Sequence, residues 1–356
     1  MQYYKYSRVG LVLAFLLLPA WLYAANLSVN CGSKSPHKSS ITAALQHLPP
    51  GPNTITVSGT CRENVLIDGI DDLTLAGTPG ASVVDQSALT LAAIQIEHSK
   101  RVTISGLEVI GGTDGIACVR ASDCTITSND VHGALGSGIF VWEHSAATLA
   151  GNHAHGNLHG VLVNSSSFAY LLGGETPPFY VPFAEPNILE DNAGNGLIIY
   201  DGSSSRVNGT ANNPNIIRNN GGSGVLISHA VGTMSFPVIT GNGIGNTSVN
   251  SGGIELDGGI LRIGAAQITG NSGPGLFATH GSHADVYASS ISDNARNGVV
   301  LLLNSSAGFS GVNPVTNNVP SDVFCDAFSV LQKMGSITGP PVVICTNQVN
   351  GYGTVP

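Results

Sequence analysis

Gly138-Ile139-Phe140-Val141 and Gly160-Val161-Leu162-Val163 share one form: glycine, apolar residue, any residue, apolar residue. The form recurs as Gly115-Ile116-Ala117-Cys118, Gly196-Leu197-Ile198-Ile199, Gly224-Val225-Leu226-Ile227, Gly253-Ile254-Glu255-Leu256, Gly275-Leu276-Phe277-Ala278 and Gly298-Val299-Val300-Leu301. The glycines are 23, 22, 36, 28, 29, 22 and 23 residues apart, a beat of 22 to 23 with insertions. Asn192, Asn220, Asn271 and Asn294 each stand four residues before a glycine, and Leu189, Ile217, Ile268 and Ile291 stand three before those asparagines. Asn and Gly both tolerate the left-handed backbone region, so each is expected to mark a bend between short strands. Such a unit has room for three short strands and their turns but not for a helix of ordinary length. Stacked about 4.8 Å apart with like residues above like, these units make a parallel β-helix.

The pattern resembles the right-handed parallel β-helix repeats of the pectin-lyase-like superfamily. The likeness covers residues 54–310, with looser early coils at Thr54-Ile55-Thr56-Val57, Asn64-Val65-Leu66-Ile67, Leu73-Thr74-Leu75 and Val102-Thr103-Ile104. It implies an all-β, right-handed, single-stranded solenoid of about ten or eleven coils. Residues 26–53 form an N-terminal cap with a short helix, in which Ile41, Ala44, Leu45 and Leu48 share a face. Ser39 or Ser40 caps that helix and Pro49-Pro50-Gly51 ends it. An apolar insertion is expected near 165–186, and a C-terminal cap or tail at 311–356.

Composition narrows the partners. Charged residues make up 10% of the chain, against about 25% in ordinary soluble proteins. At 42% hydrophobic the chain is too apolar to be disordered, and its 46 glycines have no three-residue period, which excludes collagen. The formal net charge is −9, and the few Lys and Arg residues are scattered, so nucleic acid is not an expected partner. Residues 1–25 read as a signal peptide: Lys5 and Arg8, an apolar run from Val9 to Leu18, Pro19, then Ala24-Ala25. The expectation is export to the periplasm or beyond the cell, with no membrane span in the mature chain. Six cysteines allow fifteen pairings; sequence order suggests Cys31–Cys61, Cys118–Cys124 and Cys325–Cys345.

Alternation along a strand sends the first and third residues after each glycine inward and the second and fourth outward. The outward set includes Phe140, Trp142, Tyr200 and Phe277, more aromatic than a solvated sheet requires. One reading is a saccharide groove with stacking platforms. The others are a face covered by the insertion or the tail, and an interface with another chain. Five residues after the glycines comes a turn column containing Glu143, Asp201, His229 and His280, with Asp257 one step away. Carboxylates beside imidazoles suit acid–base work on a sugar, so Glu143, Asp201, His229 and Asp257 are the candidate catalytic residues, and His280 joins the aromatics as a substrate contact. A solvated polar edge is the competing reading. No catalytic signature of a polygalacturonase or pectate lyase is present. Trp142-Glu143-His144 only faintly resembles the Asp-Pro-His of alginate epimerases, with Pro missing and Glu in place of Asp.

Five of the eleven histidines fall between His132 and His159. His153 and His155 share one strand face, and His132 stacks on the adjacent coil, a spacing that suits zinc or copper. The sequence names no cofactor and no oligomeric state. Its leading implication is an exported β-helix that recognises an extracellular or cell-envelope polysaccharide and, as an enzyme, would act as a lyase, hydrolase or epimerase. A non-catalytic interaction solenoid and a periplasmic metal-handling protein are the alternatives.

Overall fold

The computed structural model describes residues 24–33, 39–174, 185–245, 250–333, 336–338 and 342–350. Most of the expected signal peptide and the Pro177–Phe183 part of the insertion lie outside them. Three long sheets run along the molecule, and every strand pairing between coils is parallel. Sheet 1 has 14 strands, and sheets 2 and 3 have 12 each. After the first strand each sheet takes every third strand of the chain, so the chain passes through all three sheets once per coil. This is a right-handed parallel β-helix. The glycine-led segments are the strands of sheet 2, and their first apolar residues stack as Ile139, Val161, Leu197, Val225, Ile254, Leu276 and Val299. These side chains are sealed in a single core that runs through the coils. Among the described residues no helix is long and apolar enough to cross a membrane.

The repeat glycines have a different cause from the one their sequence suggests. None of the eight has a positive φ. They are needed for clearance: a Cβ on Gly196 would lie 2.5 Å from Ile217 Cγ2, 2.7 Å from the Gly224 carbonyl and 2.8 Å from Asn220 Nδ2. The repeat asparagines do stand at bends, but not through a left-handed backbone, since none of Asn192, Asn220, Asn271 and Asn294 has a positive φ. Asn157, Asn192, Asn220, Asn242, Asn271, Asn294 and Asn318 form a buried ladder at the corner between sheets 3 and 2. Each amide donates to the oxygen of the next, as from Asn220 Nδ2 to Asn242 Oδ1 at 2.9 Å, and also to a backbone carbonyl, here Leu189 at 3.0 Å. Asp322 accepts from Asn318 and closes the row. A second ladder, Asn129–Asn152–Asn187–Asn215, lines the corner between sheets 1 and 3. Polar side chains can be buried here because every coil supplies the partner for the next.

The insertion and the tail depart from expectation. Phe168–Gly173 does not fold over a face; it is a strand of sheet 1, with Ala169 and Leu171 fully buried. Beyond residue 310 the three-sheet ladder continues through Gln348–Asn350. The twelve strands of sheet 2 therefore exceed the expected ten or eleven coils. The beat is harder to follow there because Asp322 replaces the glycine in Asp322-Val323-Phe324-Cys325. At the other end Ala25–Asn30 is the first strand of sheet 1. The helix is shorter than its apolar pattern, Ile41–Leu45, with the Ser40 hydroxyl accepting from Ala43 N. Glu63 also accepts from the Ile41 and Thr42 amides. The three cysteine pairs are those that sequence order suggests.

Candidate functional site

The outward face of sheet 2 and the turn that follows it bring together most of the residues singled out above. Phe140 and Trp142 stack with ring centroids 5.9 Å apart, packed on Ala117 and Val119. Trp142 Nε1 donates to Ser165 Oγ at 2.9 Å, which fixes the indole. Among the described residues neither the Phe168–Gly173 strand nor the tail lies over this face; both run in the sheets, and both rings are only partly buried. Phe277 differs: at 6% exposed it offers no ring face for a sugar. Toward the N-terminal end, Arg120 reaches Glu97 at 2.5 Å and approaches Glu143 at 3.9 Å.

The turn column carries an unexpected backbone signature. Arg120, Glu143, Ser165, Asp201, His229, His280 and Leu303 all have φ between 48° and 54°. The left-handed region disfavours most side chains and admits Asp and His more readily than β-branched or bulky residues. Beneath the first four of these turns a buried serine row, Ser99–Ser122–Ser145–Ser167–Ser203, links neighbouring coils by N–H to Oγ bonds; Ala230 interrupts it at His229, and Ser282 and Ser305 resume it under His280 and Leu303. Most of the turns are thus anchored from below while their ionisable side chains face out.

The expected catalytic residues separate. Tyr200, Ser228, Asp257 and Thr279 are stacked in register on four successive coils. Asp257 Oδ1 lies 2.6 Å from His280 Nδ1, so these two form a pair. Asp201 and His229 are on adjacent coils, but no ion pair joins them; His229 Nδ1 instead lies 3.1 Å from Ser228 Oγ. Glu143 is well removed, four coils before Asp257 along the face.

Glu255 is the residue that the sequence reading passed over. It stands two residues before Asp257 on the same strand and face, in register with Leu226 and Phe277. Burial pushes its carboxyl above the usual carboxylate range; a bond from Ser223 Oγ at 2.8 Å pulls partly back, and the Asp257 charge pushes up again. Burial likewise raises the Tyr200 hydroxyl, reinforced by Glu255, Asp201 and Asp257. The available signal was that Glu255 is the one carboxylate in a column that otherwise reads Phe140, Leu162, Ile198, Leu226, Phe277 and Val300. Two carboxyls with different environments, beside a protonated phenol, can divide acid and base roles.

On sheet 3 the expected histidine cluster does assemble, with an added member. His132 stacks on His155 at 5.0 Å, and His155 on His153 at 4.2 Å. Asp130, in register with His153, lies within reach of both His153 and His155, while His132 turns to Glu108 at 3.3 Å.

The family described as right handed beta helix region matches residues 79–175 and 183–332, so the chain belongs to that family. No curated protein matches it in sequence. Among solved structures it is similar to the mannuronan C-5 epimerase AlgE4 A-module of Azotobacter vinelandii. The TM-score is 0.55 at 14% identity, over 83% of this chain and 91% of that one. It is also similar to the Dettilon tailspike protein gp208, with a TM-score of 0.57 at 12% identity, over 90% of this chain and 68% of that one. At these identities the likeness is one of fold.

Proposed function

We propose that this protein is exported and binds an extended polysaccharide along the outward face of sheet 2, with Phe140, Trp142 and Tyr200 as contacts and hydrolysis at the Glu255–Asp257 pole. The observation that carries the reading is Glu255, a half-buried carboxyl bonded to Ser223 and pushed above the usual carboxylate range by burial, two residues from the His280-paired Asp257. Alternate residues on one strand face are rooted about 7 Å apart. Two carboxyls on one strand face can supply the acid and the base of a glycoside hydrolysis. Glu255 protonates the leaving oxygen, Asp257 activates the water, and Tyr200 and His280 orient the ring. Glu143, Asp201 and His229 then act as binding or charge-shaping groups rather than as the acid–base pair.

Charge points to a neutral glycan. Glu97, Glu143, Asp201 and Asp257 outnumber Arg120 along the face, so a polyanion would be repelled. The fold is shared with a module named for its action on mannuronan, a polysaccharide, which supports that ligand class. Three disulfides agree with export into an oxidising compartment. A glycan array followed by a reducing-end assay on the retained glycans tests the proposal. The expected result is retention of neutral polysaccharides and release of reducing ends that Glu255→Gln and Asp257→Asn each abolish. Retention without release removes the hydrolytic half and leaves a binding solenoid; no retention removes the whole reading.

A further inference from the structure

We propose that Asp130, His153 and His155, on the outward face of sheet 3, hold one divalent transition-metal ion of the zinc type. Asp130 Oδ1 lies 2.9 Å from His155 Nε2 and 3.5 Å from His153 Nδ1, and the three donor atoms all lie within 4.8 Å of one another. An ion with bonds of about 2.0–2.1 Å in a tetrahedral site sets its ligands about 3.3–3.4 Å apart, between those two distances. The ladder fixes this bite. His153 and His155 are alternate residues of one strand, and Asp130 stands in register with His153 on the preceding coil.

A second observation points the same way. The nitrogen of His153 that faces away from Asp130, Nε2, lies 2.8 Å from Glu190 Oε1, and Glu190 is itself held by Arg218. A carboxylate on the far nitrogen of a histidine fixes its tautomer and orientation, which is how metal-bound imidazoles are commonly supported. His153, His155 and Asp130 are 36%, 32% and 49% exposed at their side chains, so an ion has a path in and keeps an open position for water. Two nitrogens and one oxygen, with no sulfur, suit zinc, nickel or copper(II) better than calcium or magnesium. His132 is a stacking neighbour and not a ligand.

Titration of the metal-stripped full chain with Zn2+ alone tests the site. The expected result is saturable uptake of one ion per chain, weakened at least tenfold by His153→Gln, His155→Gln or Asp130→Asn. Glu190→Gln weakens it roughly 10–100-fold and leaves the tetrahedral visible bands of the Co2+-loaded protein in place, because Glu190 positions His153 without touching the ion. His283→Gln, at a separate histidine–carboxylate pair on sheet 1, leaves uptake unchanged. These exposed substitutions spare the core, and matching thermal unfolding of the metal-free variants establishes that. No saturable uptake, or equal uptake by a His153→Gln/His155→Gln double variant, overturns the proposal.

Discussion

Two corners of each coil, one on either side of sheet 2, are built on opposite terms. The corner before the strand is buried: its asparagines bond to each other from coil to coil, and its glycines exist because no side chain fits. The turn after the strand is exposed, left-handed at nearly every coil, and filled with residues that differ from coil to coil, among them Glu143, Asp201, His229 and His280. The first corner is constrained by its neighbours above and below and carries stability. The second is anchored by serines beneath most of its coils, so its outward residues are free to vary.

Substitutions that exchange the terms of the two corners give the sharpest tests. Gly196→Val drives a side chain into the Gly224 carbonyl and Asn220 and is expected to cost about 3 kcal/mol in denaturant unfolding. Asn220→Ala strands the amide of Asn192 and the Leu189 carbonyl and is expected to cost about 2 kcal/mol. If either change is neutral, the buried corner is not the constraint described. On the other side of the strand, Leu303→Gly relieves a left-handed leucine and is expected to add about 1 kcal/mol. A loss of stability there would mean that the turn's side chains support the fold.

The smallest effect expected is a pH dependence. Glu255 titrates above its ordinary 4.5 in the folded protein, so folding favours its protonated form. Its contribution is complete below pH 4.5 and is lost as pH rises through the folded value. Glu255→Gln removes that loss, so stability measured across this range shifts in favour of the variant as pH rises. Parallel profiles for the two proteins would contradict the raised carboxyl.

The solenoid itself was legible because a parallel stack repeats its requirements. The glycine beat, the inward Ile139–Val161–Leu197 row and the order of the cysteines all follow from each coil meeting only its neighbours. What stayed hidden depends on which side chains meet across coils. The bends marked by Asn and Gly were explained by backbone freedom because that is a local property, whereas the ladder and the missing Cβ space belong to the stack. Phe168–Gly173 looked like an insertion because it precedes the extra length in its coil, yet its alternation is that of a buried strand. The aromatic face and the pairing of Asp257 with His280 could be read from register alone. Glu255 needed the burial that Ser223 and the neighbouring rows impose, and Asp130 needed the register that sets it against His153.

The proposed function makes the outward face of sheet 2 a polysaccharide surface with its chemistry at Glu255 and Asp257. The most direct measurement is calorimetric titration of a glycan retained by the wild-type protein into Glu255→Gln, with and without Trp142→Ala and Tyr200→Ala. Binding at wild-type affinity by Glu255→Gln alone, and at least tenfold weaker binding when the two aromatics are removed, is the predicted result. Undiminished binding without both aromatic side chains would contradict it.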